Sequence, residues 1–475
     1  MTIGNWNIPV YKAIRAYTAA EPVPFHMPGH KLGAGIPNEF LEEIEKLDLT
    51  EIPGTDNLHH PTGAIKEAQE LAAEAFGAVR SFFLVNGSTV GLHTAIAAVC
   101  RPGQRLIVGR DCHRAVINGM LIAGVNPFYI LPDYSAEFAI NTGISASAVE
   151  KALDDAPDAV GVLITRPNYF GVCSNVREIA QIVHEHGKLL IVDEAHGAHL
   201  IFNSRLPESA LEAGADICIQ SAHKTLPAFT QGAYLHVGSE RVDLQRLEYF
   251  LDIFQTTSPS YVIMTYLDIA REVMKKCGEK LLDRLLDNIE ACSLEMVPRG
   301  IKLLEKGDVP GFEHDTTRVT VNTRKLGITG YDAEKLLREK HHIQVEMSDL
   351  SNIVCICTVA DDSASIRRLF SGLSDLDKSH VRVDAAQLPV FTGLKLPSQA
   401  VMPSEILSAQ PEKIPLADAP GRVSRELISP YPPGMALVCP GERFTIEMVE
   451  FLREIIRLGG SVHGIQEDET VTVVK

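Results

Sequence analysis

The chain has 475 residues, 45% apolar and 22% charged, with a formal net charge of -17. That is the balance of an ordinary folded protein of two or three domains with a large buried core. Such acidity argues against nucleic acid as the main partner, because phosphate contacts need clustered Lys and Arg, and it weakly favours cationic small molecules. No apolar stretch reaches transmembrane length, and Met1-Thr2-Ile3-Gly4-Asn5-Trp6-Asn7 lacks a basic-then-apolar leader, so no membrane partner and a cytoplasmic place are expected. The nine Cys are odd in number and scattered, and Cys355-Ile356-Cys357 has no partner pair at zinc-finger spacing. Reduced, mostly buried thiols and no metal site are the expectation.

The first sixty or so residues are rich in Pro, Gly and His and read as a helix and loops draped over a larger body. From Ile65 helix and strand patterns alternate. Gln69 to Phe76 reads as a helix, Phe82 to Val85 as a strand, Thr89 to Val99 as a helix and Arg105 to Val108 as a strand. Ala159 to Thr165, Lys188 to Val192, Asp216 to Ile219 and Ala233 to Val237 are further strands, with a helix over Val176 to His186. This alternation specifies an α/β domain with a mostly parallel sheet under helices. Met264 to Ile289 turns to long helical segments, and beyond Pro310 short strands such as Arg318 to Val321 and Ile353 to Ile356 mix with helices. A loop-rich connection follows near Asp377 to Pro415. The expected division is an arm over 1–62, a large domain over 63–290 and a smaller α+β C-terminal part over 291–475.

Two of these strands end in residues with a shared chemistry. Leu189-Leu190-Ile191-Val192 runs into Asp193-Glu194-Ala195-His196, and the next strand runs into Gln220-Ser221-Ala222-His223-Lys224. Carboxyl ends of strands are where open α/β sheets bind ligands. An aldehyde cofactor needs a lysine for a Schiff base and a carboxylate to keep its pyridine nitrogen protonated. Asp193 and Lys224 supply both, which points to pyridoxal phosphate (PLP). Asn86-Gly87-Ser88-Thr89 follows a strand and opens a helix, so its N–H groups and hydroxyls suit an anion such as the cofactor phosphate. His113, just past another strand, is placed to lay its ring on the cofactor, and His196 and His223 flank the same region. Each has a plainer reading alone: a helix cap for Ser88, Thr89 or Asp193, a loop histidine for His113, an exposed lysine for Lys224.

A resemblance covering nearly the whole chain adds to this. Met27-Pro28-Gly29-His30-Lys31, Asp56-Asn57-Leu58-His59-His60-Pro61-Thr62-Gly63, Asn86-Gly87-Ser88-Thr89, Asp193-Glu194-Ala195-His196-Gly197-Ala198-His199, Ser221-Ala222-His223-Lys224 and Thr256-Thr257-Ser258-Pro259-Ser260-Tyr261 stand in the order seen in one family. Near the C-terminus, Pro430-Tyr431-Pro432-Pro433-Gly434 and Cys439-Pro440-Gly441-Glu442 join them. The chain resembles the bacterial ornithine/lysine/arginine decarboxylases of the aspartate aminotransferase fold, in a short form lacking an N-terminal wing domain. The resemblance implies Lys224 as the Schiff-base lysine, Asp193 as the pyridine partner, His113 as the stacking ring, and Ser88, Thr89 and Ser221 as phosphate contacts. It implies that His223 borders the phosphate or substrate, and that Thr256 and Thr257 lie near the active site across a homodimer interface.

The implied reaction is decarboxylation of a basic amino acid, with arginine to agmatine first, then lysine and ornithine. A cationic side chain calls for a carboxylate, and Glu442, Glu346 and Asp349 are the candidates, Glu442 first because it closes the last matching motif. Two other classes stay open. One is an aminotransferase or lyase of the same fold, though no motif places the Arg that an aminotransferase uses for the α-carboxylate. The other is a catalytically silent regulatory paralogue, against which the intact Asp193, His113 and Lys224 speak.

Overall fold

The computed structural model describes residues 7–475 except 43, 297–300, 377–395 and 432–434. Its centre is a seven-stranded sheet made of β1 (Arg80–Leu84), β2 (Arg105–Gly109), β3 (Asn126–Ile130), β4 (Ala159–Thr165), β5 (Leu189–Asp193), β6 (Ile217–Gln220) and β7 (Ala233–Val237). The order across the sheet is β1-β7-β6-β5-β4-β2-β3. Neighbours pair in parallel except at β7, which runs against both β6 and β1. Leu106-Ile107-Val108, Val162-Leu163-Ile164 and Leu190-Ile191-Val192 are fully buried, as expected of strands covered on both faces. The helix Gly87–Val99 buries Val90, Leu92, Ala95 and Ile96 and is apolar nearly all round, so it lies inside rather than on the surface.

Two elements go beyond the expected set. β3 starts Asn126-Pro127 and is only partly buried, and its place at the sheet edge explains how a proline fits there. The helix Arg114–Ala123 carries Gly119, where a Cβ would stand 2.9 Å from Ile96 Cδ1. Close packing against the helix Gly87–Val99 requires that glycine, which weakens the helical pattern in sequence.

The 36-residue helix Tyr261–Met296 runs through position 290, so the expected boundary there falls inside a helix. Beyond it, Lys302–Leu303, Arg318–Asn322, Asn352–Ile356 and Met347–Ser348 form a four-stranded antiparallel sheet. Its residues Val321, Ile353 and Leu369 share one apolar core with Phe76, Val192 and Leu285 of the large domain. Residues 396–475 have a core of their own, around Leu416, Phe444, Leu452 and Val473. The expected third segment therefore divides in two. No helix among the described residues is long and apolar enough to cross a membrane.

The N-terminal segment is fastened to both neighbours of the site. Val23–Phe25 adds a parallel strand to Ile343–Val345. Gly29 then donates from its N–H to the His223 carbonyl at 2.7 Å, and a Cβ there would lie 2.7 Å from the Leu226 oxygen. Only glycine permits that approach. Lys31 donates to the Ile356 carbonyl at 2.8 Å, tying the same loop to the small sheet.

Candidate active site

The carboxyl ends of the parallel strands open onto a cavity of about 720 Å³, lined by Ser88, Thr89, His113, Ser221, His223 and Lys224 among others. Lys224 sits on the short helix Ala222–Thr225 that follows β6. Its Nζ lies 3.0 Å from His196 Nε2. Burial pulls its ammonium down to about 8, with Asp193 and Glu346 opposing that shift and Arg318 adding to it. Asp193 is the last residue of β5, buried, and accepts from the Ala195 N–H at 3.2 Å. Burial raises its carboxyl and the Lys224 charge counters it, so it needs a cation to stay ionised.

The phosphate-binding candidates also converge. The Ser221 hydroxyl donates to Ser88 Oγ at 2.8 Å, at the start of the helix Gly87–Val99. Gly87 has φ +77, which turns the chain from β1 into that helix and leaves the first-turn N–H groups facing outward. His113 caps the helix Arg114–Ala123, its Nδ1 accepting from the Ala115 N–H at 3.2 Å, which fixes the ring and leaves the proton on Nε2. Burial, then the Lys224 and Arg114 charges, hold it down at about 4. His223 is pulled to about 4 by burial, and its Nδ1 donates to the Gly232 carbonyl at 3.0 Å. Hydroxyls and a helix start at one end, and a buried carboxylate beside an amine at the other, are the donor set an anionic pyridine aldehyde requires.

The remaining motif residues are structural locks. Glu194 is fully buried, bound by Arg166 at 2.9 Å, the Ala210 N–H and the Gln220 side chain. His199 faces Asp315 at 3.2 Å. Asp56 accepts from the N–H groups of Thr62, Gly63 and Ile65, ahead of the helix Ala64–Phe76. Thr256 and Thr257 do not line the cavity, although the Thr256 N–H donates to Asn86 Oδ1 at 3.0 Å beside it. Pro432, Pro433 and Gly434 lie outside the described residues.

Two of the three substrate carboxylates require correction. Glu442 is 1% exposed, and both its oxygens are held by Arg110 at 2.7 Å, one of them also by the Cys439 N–H. Asp349 closes the turn between two strands of the small sheet, accepting from the N–H groups of Ser351 and Asn352 at 2.7 Å. Each carboxylate is consumed by its own fold. Glu346 is different: it accepts from the Met27 N–H at 2.9 Å and is among the charges acting on Lys224.

Two residues escaped sequence reasoning. Arg318, on the small sheet, reaches across to donate from Nη2 to His196 Nδ1 at 3.3 Å, while Nε and Nη1 have no partner. No motif marks it, because the contact spans 122 residues of chain. Asp111 is buried with both oxygens unpartnered, and burial together with the Asp193 charge lifts it to about 7.

Residues 8–306 match the family described as Orn/Lys/Arg decarboxylase, major domain, and residues 389–470 match its C-terminal domain. An arginine decarboxylase of Halalkalibacterium halodurans is 38% identical over 98% of this chain and 97% of its own. Among solved structures, the lysine decarboxylase LdcF of Francisella novicida superposes with TM-score 0.78 at 21% identity, covering 94% of this chain and 78% of that one. An L-threonine transaldolase from Pseudomonas fluorescens, solved in its internal aldimine state, superposes with TM-score 0.59 at 16% identity over 81% of this chain and 91% of that one. The fold is that of the PLP-dependent fold-type-I enzymes. Full-length likeness at this level, on a site built as described, places the chain in the Orn/Lys/Arg decarboxylase family.

Proposed function

We propose that this protein is a PLP-dependent decarboxylase that converts arginine to agmatine and carbon dioxide. The observation that carries the reading is Lys224 beside Asp193 at the strand ends, with the Ser88 and Ser221 hydroxyls converging nearby. The choice of arginine rests on the relative 38% identical over nearly its whole length, an arginine decarboxylase.

PLP, when bound, supplies an electron sink for the bonding pair left behind by departing carbon dioxide. Ser88, Thr89 and Ser221 would grip its phosphate, and Asp193 would stay ionised beside the ring nitrogen. His113 would set the ring's tilt, with His196 and His223 bordering the ring and the phosphate. Lys224 would hold the aldehyde carbon and later, or through a neighbouring His, return a proton to the substrate Cα. The partnerless N–H groups of Arg318 suit the α-carboxylate of an amino acid. Glu346 would meet the cationic side chain, which an acidic protein draws toward it.

The site is also proposed to be completed in a homodimer, with Thr256 and Thr257 reaching a neighbour's cofactor. Support comes from apolar side chains left in solvent, among them Val10, Tyr11 and Ile14 on the helix Pro9–Ala19, which has no buried residue, and Tyr249 and Ile253 near that loop. A cytoplasmic location fits the acidic composition and nine unpaired cysteines.

Equal concentrations of arginine, lysine and ornithine offered together to the PLP-loaded protein test the substrate. Agmatine should dominate the products, because a pocket shaped for a guanidinium leaves donors and acceptors unmatched when an ammonium enters. Cadaverine as the main product would replace arginine by lysine.

A further inference from the structure

Arg318 is 1% exposed, and its only hydrogen bond among the described residues runs from Nη2 to His196 Nδ1, at 3.3 Å. On the other side of the imidazole, Nε2 lies 3.0 Å from Lys224 Nζ. A neutral imidazole has one N–H and one lone pair, whereas a guanidinium only donates and keeps its proton. Nδ1 must therefore present the lone pair to Arg318, and the ring proton sits on Nε2, pointing at Lys224. That contact is a hydrogen bond only if Nζ offers a lone pair of its own. An ammonium would set N–H against N–H in a buried place. A doubly protonated ring would do the same toward Arg318.

We propose that Arg318 is a positioning residue that fixes the tautomer of His196 and thereby holds Lys224 as a free amine, ready to attack an aldehyde carbon. This rests on the reading of Lys224 as the cofactor-bearing lysine. The other charges facing Lys224 divide: Asp193 and Glu346 favour its ammonium, and the Arg318 charge opposes it. Burial, with the Lys224 and Arg318 charges, holds His196 well below the ordinary histidine range, and burial does the same to His113 and His223. The relay thus tips a balance that Asp193 and Glu346 would otherwise push toward the charged form.

Capture of PLP by the apoenzyme, followed as growth of the visible imine band across pH, tests the relay without turnover. In the wild type the capture rate should rise with pH and level off above about 8. Arg318→Met frees His196 to turn its lone pair toward Lys224. The midpoint should then move up by about one pH unit or more, so that capture at neutral pH slows about tenfold. Arg318→Lys should return the midpoint toward the wild-type value. A midpoint unmoved in Arg318→Met sinks the relay, whereas capture that persists in Lys224→Ala removes the reading of Lys224 instead. A second measurement leaves Arg318 in place: nitrogen-15 spectra of histidine-labelled apoenzyme, with the His196 signal assigned by its loss in His196→Gln. The proton should be on Nε2, and a proton on Nδ1 would overturn the proposal even if no Arg318 variant folded.

Discussion

Individual side chains carry the chemistry, and some announce themselves in sequence better than others. Lys224 and Asp193 were legible because each ends an apolar run, and a parallel strand delivers its last residue to the same edge of the sheet as its neighbours. Lys224→Ala should remove the visible band of the PLP-loaded protein and lower turnover on the order of a thousandfold or more, with circular dichroism unchanged. A retained band, mapped to another lysine, would contradict the assignment. Asp193→Asn should cut kcat on the order of a hundredfold or more while PLP affinity falls far less, because the lost charge matters most as electrons reach the ring. Equal losses in both would make Asp193 a structural residue. Glu442 was misread because a sequence shows a carboxylate but not the Arg110 that holds it 332 residues away. Arg318 was invisible for the same reason.

At the scale of elements, the alternation of helix and strand was readable because buried parallel strands are short uninterrupted apolar runs. The direction of β7 was not readable, since reversing a strand leaves its composition unchanged. The arm motifs read as loop chemistry turn out to be fasteners, with Gly29 against the segment of Lys224 and Asp56 ahead of the helix Ala64–Phe76. The Asp56 carboxyl shows how one is built. Its partial burial would raise it, but backbone N–H groups of Thr62, Asn57, Gly63 and Lys66 outweigh that and hold it at about 2. Asp56→Ala should cost about 1 kcal/mol, the usual worth of a helix cap. Since the folded carboxyl titrates below its unfolded value of about 3.9, its contribution is whole above that pH and fades as pH falls toward 2. Melting temperatures of the two proteins should therefore differ at pH 7 and converge toward pH 2. A gap that stays constant with pH would mean that the charge of Asp56 plays no part.

For the whole molecule, one core joins the large domain to the small sheet, while residues 396–475 pack around a second. This is why a boundary drawn at 290 from composition failed: the helix Tyr261–Met296 belongs to both sides. The apolar side chains left exposed on the arm argue that one copy is not the working unit. Light scattering should find a dimer at assay concentrations, and a fully active monomer would remove Thr256 and Thr257 from the site. The reaction itself is tested most directly by giving the PLP-loaded protein arginine labelled at its carboxyl carbon and counting products. The account predicts one labelled carbon dioxide for each agmatine formed, and none of either from Lys224→Ala. A labelled keto acid without carbon dioxide would contradict it.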